Sequence, residues 1–314
     1  MTGDAWREAG EGVFRRRFEP YDVTVAVVVG SDGVAVIDTR CSLAEAREIK
    51  EQIRRMTQAP IRWVVNTHAH FDHTWGNAEF AAPRLVPPAR IWAHESVPGK
   101  LDRDDPAVAA LLDRLTAEGP DWAAKVAELE FAPPTETVRR LATIDLGDRG
   151  LELRFLGRGH TDGDLWIRVL GPGTGSSAGP KADAGAFTGI ALAGDLVEQS
   201  GPPAFGPDSF PLEWAATLER ALELTGERAS VIPGHGEPVD ALFIREQLAA
   251  IASVAREIRS LYAAGVSAAD ALAGGNWPFP ARSLRDAVAC GYAALEEGAG
   301  IDTARQHRAG EREA

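Results

Sequence analysis

Histidine and aspartate residues are concentrated in one short segment, THAHFDH at residues 67–73. In an extended segment, side chains two positions apart project to the same side. His68 and His70 can therefore hold one metal ion together. Asp72 and His73 are adjacent and can face a second ion after the chain turns. Imidazole and carboxylate groups are the ligands expected for zinc, with iron or manganese as competitors.

Two further histidines and two aspartates occur in similar surroundings. His160 lies within GRGHTDGD and His235 within IPGHG, each just after or between predicted strands. Asp195 follows another predicted strand, and Asp38 ends one near the start of the chain. Glycines beside these residues are typical of tight turns and of close backbone approach at strand ends. We therefore expect one edge of a sheet to gather these side chains into a cluster.

The elements that must position this cluster follow from hydrophobic periodicity. Alternating or β-branched runs predict strands, whereas steps of three or four predict helices. A helix over 43–56 has Ser42 as its N-cap, and a helical stretch over 107–129 is interrupted at Gly119-Pro120. The other predicted elements are strands at 24–30, 34–38, 61–66, 151–156, 165–170, 190–193 and 230–232 and a helix at 212–224. This mixture predicts a sheet with helices packed on it.

The chain changes character after Pro238. Apolar residues from Ile244 to Leu261 recur at helical spacing, and a second helical stretch covers 283–297. We therefore predict an α/β body at 1–239 and a C-terminal helical extension at 240–314 that ends in a polar, frayed tail. A Gly-, Ala- and Ser-rich stretch at 171–187 is predicted to be a flexible surface loop.

Charge and composition exclude several classes of protein. The formal net charge is −13, from 33 basic and 46 acidic residues, which disfavours nucleic acid and anionic membrane as partners. Two cysteines cannot build a disulfide framework. No secretory signal is evident at the N-terminus. We expect a cytoplasmic enzyme that acts on a small molecule.

The order THAHFDH, GHTDGD, GD and PGHG, together with Asp38, resembles the metallo-β-lactamase superfamily from Asp38 to Gly236. The resemblance implies an α/β (α+β) fold, the αββα sandwich, with a metal site at the sheet edges. It further implies that His68, His70 and His160 bind one ion and that Asp72, His73 and His235 bind the other. Asp195 would bridge the two ions, as in the glyoxalase II-like branch, and Asp38 would support the ligand loop by hydrogen bonds.

Two zinc ions in such a site would lower the pKa of a shared water and polarise a carbonyl oxygen. This predicts a hydrolase of a small ester, thioester or lactone that uses a metal-bound hydroxide, with Asp72 binding metal and orienting the nucleophile as the catalytic residue. Two alternatives stay open. One is a mononuclear iron persulfide dioxygenase of the same superfamily, and the other is a catalytically silent binding protein with this fold.

The residues that would select the substrate are less well defined by the sequence. Trp75 follows the ligand loop, and the segment GPPAFGPDSFPLEW at 201–214 follows Asp195. We predict that the pocket includes some of these side chains, together with an arginine that could pair with a substrate carboxylate. The candidates are Trp75, Arg158, Phe205, Phe210 and Trp214. His94 is predicted to be structural and His307 to lie in the tail, while the C-terminal helices are predicted either to cap the site or to form a homodimer interface.

Overall fold

A computed structural model of the chain describes residues 5–172 and 185–298. The predicted loop at 171–187 therefore lies mostly outside the described residues, and so do the predicted polar tail and His307. Within the described residues, no helix combines the length and the apolar composition that crossing a membrane requires.

Runs of strands are separated by single helices or pairs of helices, and the described chain ends in helices. In chain order the strands are β1 (Arg7–Gly10), β2 (Val13–Phe18), β3 (Val23–Gly30), β4 (Gly33–Ile37), β5 (Ile61–Val65), β6 (Arg90–His94), β7 (Glu136–Val138), β8 (Leu141–Asp145), β9 (Gly150–Phe155), β10 (Leu165–Leu170), β11 (Phe187–Glu198) and β12 (Ser230–His235). The helices are α1 (Leu43–Met56), α2 (Phe71–Thr74), α3 (Pro106–Ala117), α4 (Pro120–Glu128), α5 (Trp214–Thr225), α6 (Ala241–Ala263), α7 (Ala268–Gly274) and α8 (285–298).

Hydrogen bonds join the strands into one mixed sheet with two halves. The order is β7-β6-β5-β4-β3-β12-β11-β10-β9-β8, with β2 also paired to β3 and β1 to β2. The halves join where His235 of β12 pairs with Val23 of β3. Parallel pairing of β4, β5, β6 and β7 brings the carboxyl ends of these strands to one edge.

Alternation of side chains along the strands builds four layers. Ala35 of β4 and Leu192 of β11 belong to one buried cluster, so the two halves of the sheet pack face to face. On the outer face of the first half, Val36 packs against Ile49 of α1. Helices α5, α6 and α8 cover the outer face of the second half. The result is an αββα sandwich, as predicted.

Several predicted elements are confirmed. Helix α1 begins after Ser42, whose side chain accepts a hydrogen bond from the Glu45 amide, and the stretch at 107–129 is divided into α3 and α4 at Gly119. Strand β11 is longer than the predicted 190–193 and contains Asp195. The boundary at 239/240 stays a prediction, although α6 packs on the same core cluster as α5.

Candidate metal centre

The segment with most of the candidate ligands follows β5 and runs into α2. Asn66, directly after β5, donates from Nδ2 to the carbonyl oxygen of His73 at 3.1 Å and to Oδ1 of Asn77 at 3.0 Å. Asn77 donates back to Asn66 Oδ1 at 2.9 Å. Because these amides are fully buried, the hydrogen bonds hold the loop in one conformation.

Asp38, at the end of β4, holds the same loop from its other side. Its Oδ1 accepts a bond from the Thr67 amide, and its Oδ2 accepts bonds from Thr67 Oγ1 and His73 Nδ1, all at 2.8 Å. Burial raises the pKa of the Asp38 carboxyl, and the neighbouring His73 and the Thr67 bonds oppose that rise. Asp38 has a φ of +65°, an uncommon backbone conformation that turns its carboxylate toward the loop.

The candidate ligands converge at this edge of the sheet, and two of the three groups of potential ligand atoms found among the described residues contain all seven. In each group the potential ligand atoms lie within 4.8 Å of one another. The two groups are His68, His70, His160 and Asp195, and Asp72, His73 and His235. Asp195 contacts both groups, since its Oδ2 lies 3.4 Å from His160 Nε2 and 3.3 Å from His235 Nε2. The structure thus brings together all seven residues that the sequence predicts as ligands.

Space for Asp195 depends on a glycine in the neighbouring strand. Gly234 lies in β12, beside β11, and a Cβ atom at this position would lie 1.9 Å from Oδ1 of Asp195. Real Cβ atoms do not approach other atoms this closely. The glycine of the PGHG motif therefore leaves room for the central carboxylate.

One ring nitrogen of each of the five histidines is bonded to a protein acceptor. The pairs are His68 Nδ1 with Thr67 Oγ1 (3.0 Å), His70 Nε2 with Asp208 Oδ2 (3.2 Å), His73 Nδ1 with Asp38 Oδ2 (2.8 Å), His160 Nδ1 with the Ala204 carbonyl (2.9 Å) and His235 Nδ1 with the Tyr21 carbonyl (2.7 Å). In a neutral imidazole the donating nitrogen carries the proton, and the other nitrogen has a free lone pair. We assign the tautomers from these partners.

The remaining ring nitrogens point toward one another. His70 Nδ1 lies 2.9 Å from His160 Nε2, and His73 Nε2 lies 3.4 Å from His235 Nε2. His68 Nε2 and Asp195 Oδ1 are buried and have no hydrogen-bond partner among the described residues. Facing lone pairs in a buried site repel each other unless a proton or a metal ion lies between them. The donor set therefore fits divalent metal ions.

The pKa values of the histidines in the cluster are shifted in opposite directions. Burial lowers the pKa of His160 to about 4 and that of His68 well below its usual value. Burial alone would also lower the pKa of His235. The negative charges of Asp195 and Asp72 outweigh burial and raise the pKa of that imidazole to about 11. The carboxylates Asp195 and Asp72 thus stabilise positive charge strongly at His235.

A cavity of about 350 Å³ opens beside the cluster. Ligand side chains form part of its wall, and residues from several distant segments form the rest. The lining residues are Tyr21, His70, Phe71, Asp72, Arg114, Leu115, Glu118, His160, Asp195, Ala204, Phe205, Gly206 and His235. Of the five side chains predicted for a substrate pocket, Phe205 lines this cavity.

The other four predicted pocket residues lie elsewhere, for reasons of packing. Trp75 is buried against Phe71 and Phe131, and Trp214 is fully buried with its Nε1 donating to a backbone carbonyl. Arg158 pairs with Glu213, its Nε lying 3.1 Å from Oε2, and its guanidinium lies over the Phe210 ring. Trp75, Trp214, Arg158 and Phe210 do not line this cavity, and their part in a substrate pocket stays a prediction.

His94 has the structural surroundings that the sequence predicts. It ends β6, its ring stacks on Phe155 with centroids 4.1 Å apart, and its Nδ1 lies 3.0 Å from Ser96 Oγ. Burial lowers the pKa of this imidazole. His94 belongs to neither group of candidate ligands.

Several functional residues carry no signal in the sequence. Asp208 bonds His70, and the Tyr21 carbonyl bonds His235, across 138 and 214 residues respectively. Arg114 and Glu118 line the cavity from α3 and its C-cap. The sequence predicts a helix in this segment but gives no indication of a binding site. Phe71 lies inside the motif THAHFDH. An apolar side chain among four candidate ligands is the one feature of this motif that indicates a pocket wall.

Comparison with known proteins identifies the class of this fold and site. Residues 19–236 match the family model described as the metallo-beta-lactamase superfamily. The chain belongs to that superfamily and is a hydrolase, and its histidine and aspartate cluster could hold metal.

Individual relatives are distant. The chain is 26% identical over 250 residues to the acyl-coenzyme A thioesterase MBLAC2 of Bos taurus, covering 74% of this chain and 80% of the relative. It is similarly 26% identical over 253 residues to MBLAC2 of Homo sapiens, with the same coverage. A metallo-beta-lactamase from Pontibacter korlensis superposes with a TM-score of 0.55 at 19% identity, covering 79% of this chain and 98% of that chain.

Proposed function

We propose that this chain is a dinuclear zinc-dependent hydrolase that cleaves the thioester of a small acyl group. The observation that carries the proposal is the convergence of five histidine lone pairs and two carboxylates beside an open cavity. The choice of a thioester is supported by the relatives named acyl-coenzyme A thioesterase, which match four-fifths of their own length.

In this proposal each group of side chains holds one ion. His68, His70 and His160 would bind the first ion, and Asp72, His73 and His235 the second, with Asp195 binding both. Zinc ions bound there would polarise the substrate carbonyl and bring the pKa of a water to near neutrality. The hydrogen-bond acceptors on the far side of each imidazole hold the rings in orientation. In metal sites, loss of such an acceptor typically lowers metal affinity or activity about 10- to 100-fold.

The chain's own side chains then orient the reactants. Asp72 lines the cavity, and its Oδ2 lies 3.4 Å from His235 Nε2, so one carboxylate faces both the second group and the substrate. This carboxylate can accept a hydrogen bond from the attacking water and hold it toward the carbonyl carbon. Tyr21, Phe71 and Phe205 provide the apolar wall against which an acyl chain can pack and from which it displaces water.

Metal analysis combined with a substrate panel tests the proposal. Purified protein is assayed for zinc, iron and manganese and then for hydrolysis of acyl thioesters, oxyesters, lactones, β-lactams and phosphodiesters. We expect two zinc ions per chain and the highest kcat/KM on a thioester. One iron per chain with oxygen consumption on a persulfide, or faster turnover on another member of the panel, would overturn it.

An Asp72→Asn variant tests the role of the carboxylate. We expect kcat to fall about 100-fold or more, the usual scale for loss of a positioned proton acceptor. Asp104→Asn, an exposed position before α3, is the matched control and should retain the wild-type kcat. Wild-type turnover in Asp72→Asn would remove Asp72 from the mechanism.

A further inference from the structure

Helix α3 gives the cavity wall charge as well as apolar surface. Arg114 lies in the last turn of this helix and Glu118 at its C-cap, and both line the cavity together with Leu115. Among the described residues that line the cavity, Arg114 is the one arginine or lysine. A substrate that occupies the cavity therefore meets both the candidate metal centre and a guanidinium.

Arg114 has no ion pair within the described part of the chain. It is exposed, and no hydrogen bond or salt bridge joins its guanidinium to another described residue. Arg158, the arginine that the sequence suggests as a partner for a substrate carboxylate, is instead paired with Glu213. Because the protein has a formal net charge of −13, its general field repels anions, so a locally unpaired cation matters more for an anionic ligand.

Packing holds helix α3 in a defined position relative to the ligand loop. The adjacent Leu115 is buried, with Leu112 one turn earlier, in a cluster that also contains Ala69 and Trp75 of the ligand loop and its continuation. Asp105 caps the start of the helix and accepts bonds from two backbone amides at 2.9 and 3.1 Å. The helix therefore presents Arg114 at the cavity without requiring a large movement of the backbone.

Glu118 lies one helical turn beyond Arg114 but does not neutralise it. No salt bridge links Arg114 to Glu118. A helical ion pair four residues apart is less favourable when the basic residue comes first, as it does here. Glu118 lies instead near Tyr21. The pKa of the Tyr21 hydroxyl is raised mainly by burial, and the charges of Cys41 and Glu118 raise it further. The guanidinium of Arg114 is thus available to a ligand.

We propose that Arg114 binds an anionic group of the substrate, a carboxylate or a phosphate, where helix α3 lines the cavity. This inference rests on the proposed function, because it assigns the substrate class of the same site: a thioester that carries a negative charge away from the scissile bond. The planar guanidinium can donate two parallel hydrogen bonds to either oxyanion, a geometry that lysine cannot match.

Binding of non-hydrolysable analogues tests Arg114 independently of turnover. The probes are thioethers in which CH₂ replaces the scissile carbonyl, ending in a carboxylate, a phosphate monoester or a neutral amide, and their affinities are measured by calorimetry. We expect the better anionic probe to bind wild-type protein about tenfold more tightly than the amide, and Arg114→Gln to abolish that difference. Arg158→Gln, the matched control, should preserve it, and the two anionic probes distinguish carboxylate from phosphate.

The outcomes separate this inference from the proposed function. Equal affinity of wild-type protein for anionic and neutral probes, no measurable binding of either anionic probe, or an equal loss for all probes in Arg114→Gln overturns the role of Arg114. The role is overturned as well if an ammonium-ended probe binds most tightly and depends on Glu118. Hydrolysis of a neutral thioester by the wild-type enzyme tests the proposed function separately, because a neutral substrate does not depend on Arg114.

Discussion

The Nε2 atom of His70 lies 3.2 Å from Oδ2 of Asp208, a residue 138 positions further along the chain. This bond leaves Nδ1 of His70 as the nitrogen that faces His160, at 2.9 Å. Asp208 thus determines which nitrogen of a candidate ligand is free. It lies in the segment between Asp195 and α5, so the loop beside the cavity also orients a ligand.

Asp208→Asn is expected to weaken metal binding in the group that contains His70. An amide at this position can donate as well as accept and no longer favours the proton on Nε2, so we expect a 10- to 100-fold loss of affinity for one of two ions. Competition with a chelator, followed by a zinc-sensitive dye, measures the two affinities. Asp104→Asn serves as the control, and unchanged affinities in Asp208→Asn would contradict the prediction.

Removal of metal is expected to lower the melting temperature. A ligand that binds the folded state alone stabilises it, by about 4 kcal/mol at a free concentration 1,000 times its dissociation constant. In this protein, loss of the ions leaves the buried His68 Nε2 and Asp195 Oδ1 without a hydrogen bond among the described residues. Calorimetric unfolding with a chelator, and again after zinc is restored, checks this. An unchanged and metal-independent melting temperature would contradict it.

Gly234→Ala is expected to displace Asp195. The added methyl group would lie 1.9 Å from Oδ1 of that aspartate, and relief of such overpacking costs about 1–3 kcal/mol. We expect lower thermal stability together with less than two bound ions per chain, measured by metal analysis on the same sample. Gly201→Ala, where a Cβ would meet no atom within 4 Å, should match the wild type in both respects.

Glu79→Gln is expected to destabilise the fold without touching the metal centre. Lys50 Nζ lies 2.6 Å from Glu79 Oε2, and their side chains are 7% and 2% exposed. Removing one partner of a buried pair costs about 3–5 kcal/mol in the free energy of unfolding, which urea titration measures. Glu130→Gln, which breaks the exposed pair with Arg84, should cost much less.

The same pair gives a pH dependence with a defined sign. Burial alone would raise the pKa of Glu79, but the bonds from Lys50 and Arg47 outweigh it and lower that pKa below the ordinary 4.5. The carboxylate therefore stabilises the folded protein above pH 4.5, and this contribution is lost as the pH falls through the lowered value. Wild-type stability should fall there more steeply than that of Glu79→Gln. Parallel curves for the two proteins would contradict this assignment.

Local patterns predicted the elements whose apolar residues repeat regularly. The strand predicted at 165–170 coincides with β10, and the helix predicted at 43–56 coincides with α1. Strand β2 escaped prediction because its sequence VFRRRF places three arginines in succession. Arg17 is held there by Asp22 and by Glu237, which is 220 residues away, so long-range ion pairs replace the apolar contacts that normally mark a strand.

The sequence by itself determined the family, the sandwich fold and the set of candidate ligands, because these depend on short motifs and on periodicity along the chain. Tertiary structure alone decided which side chains surround those ligands. Asp208 reaches His70, Arg114 faces the cavity, and Arg158 pairs with Glu213 instead. These relationships arise when the two halves of the sheet pack face to face and bring distant segments together. No local pattern in the sequence encodes contacts between side chains separated by fifty to two hundred residues.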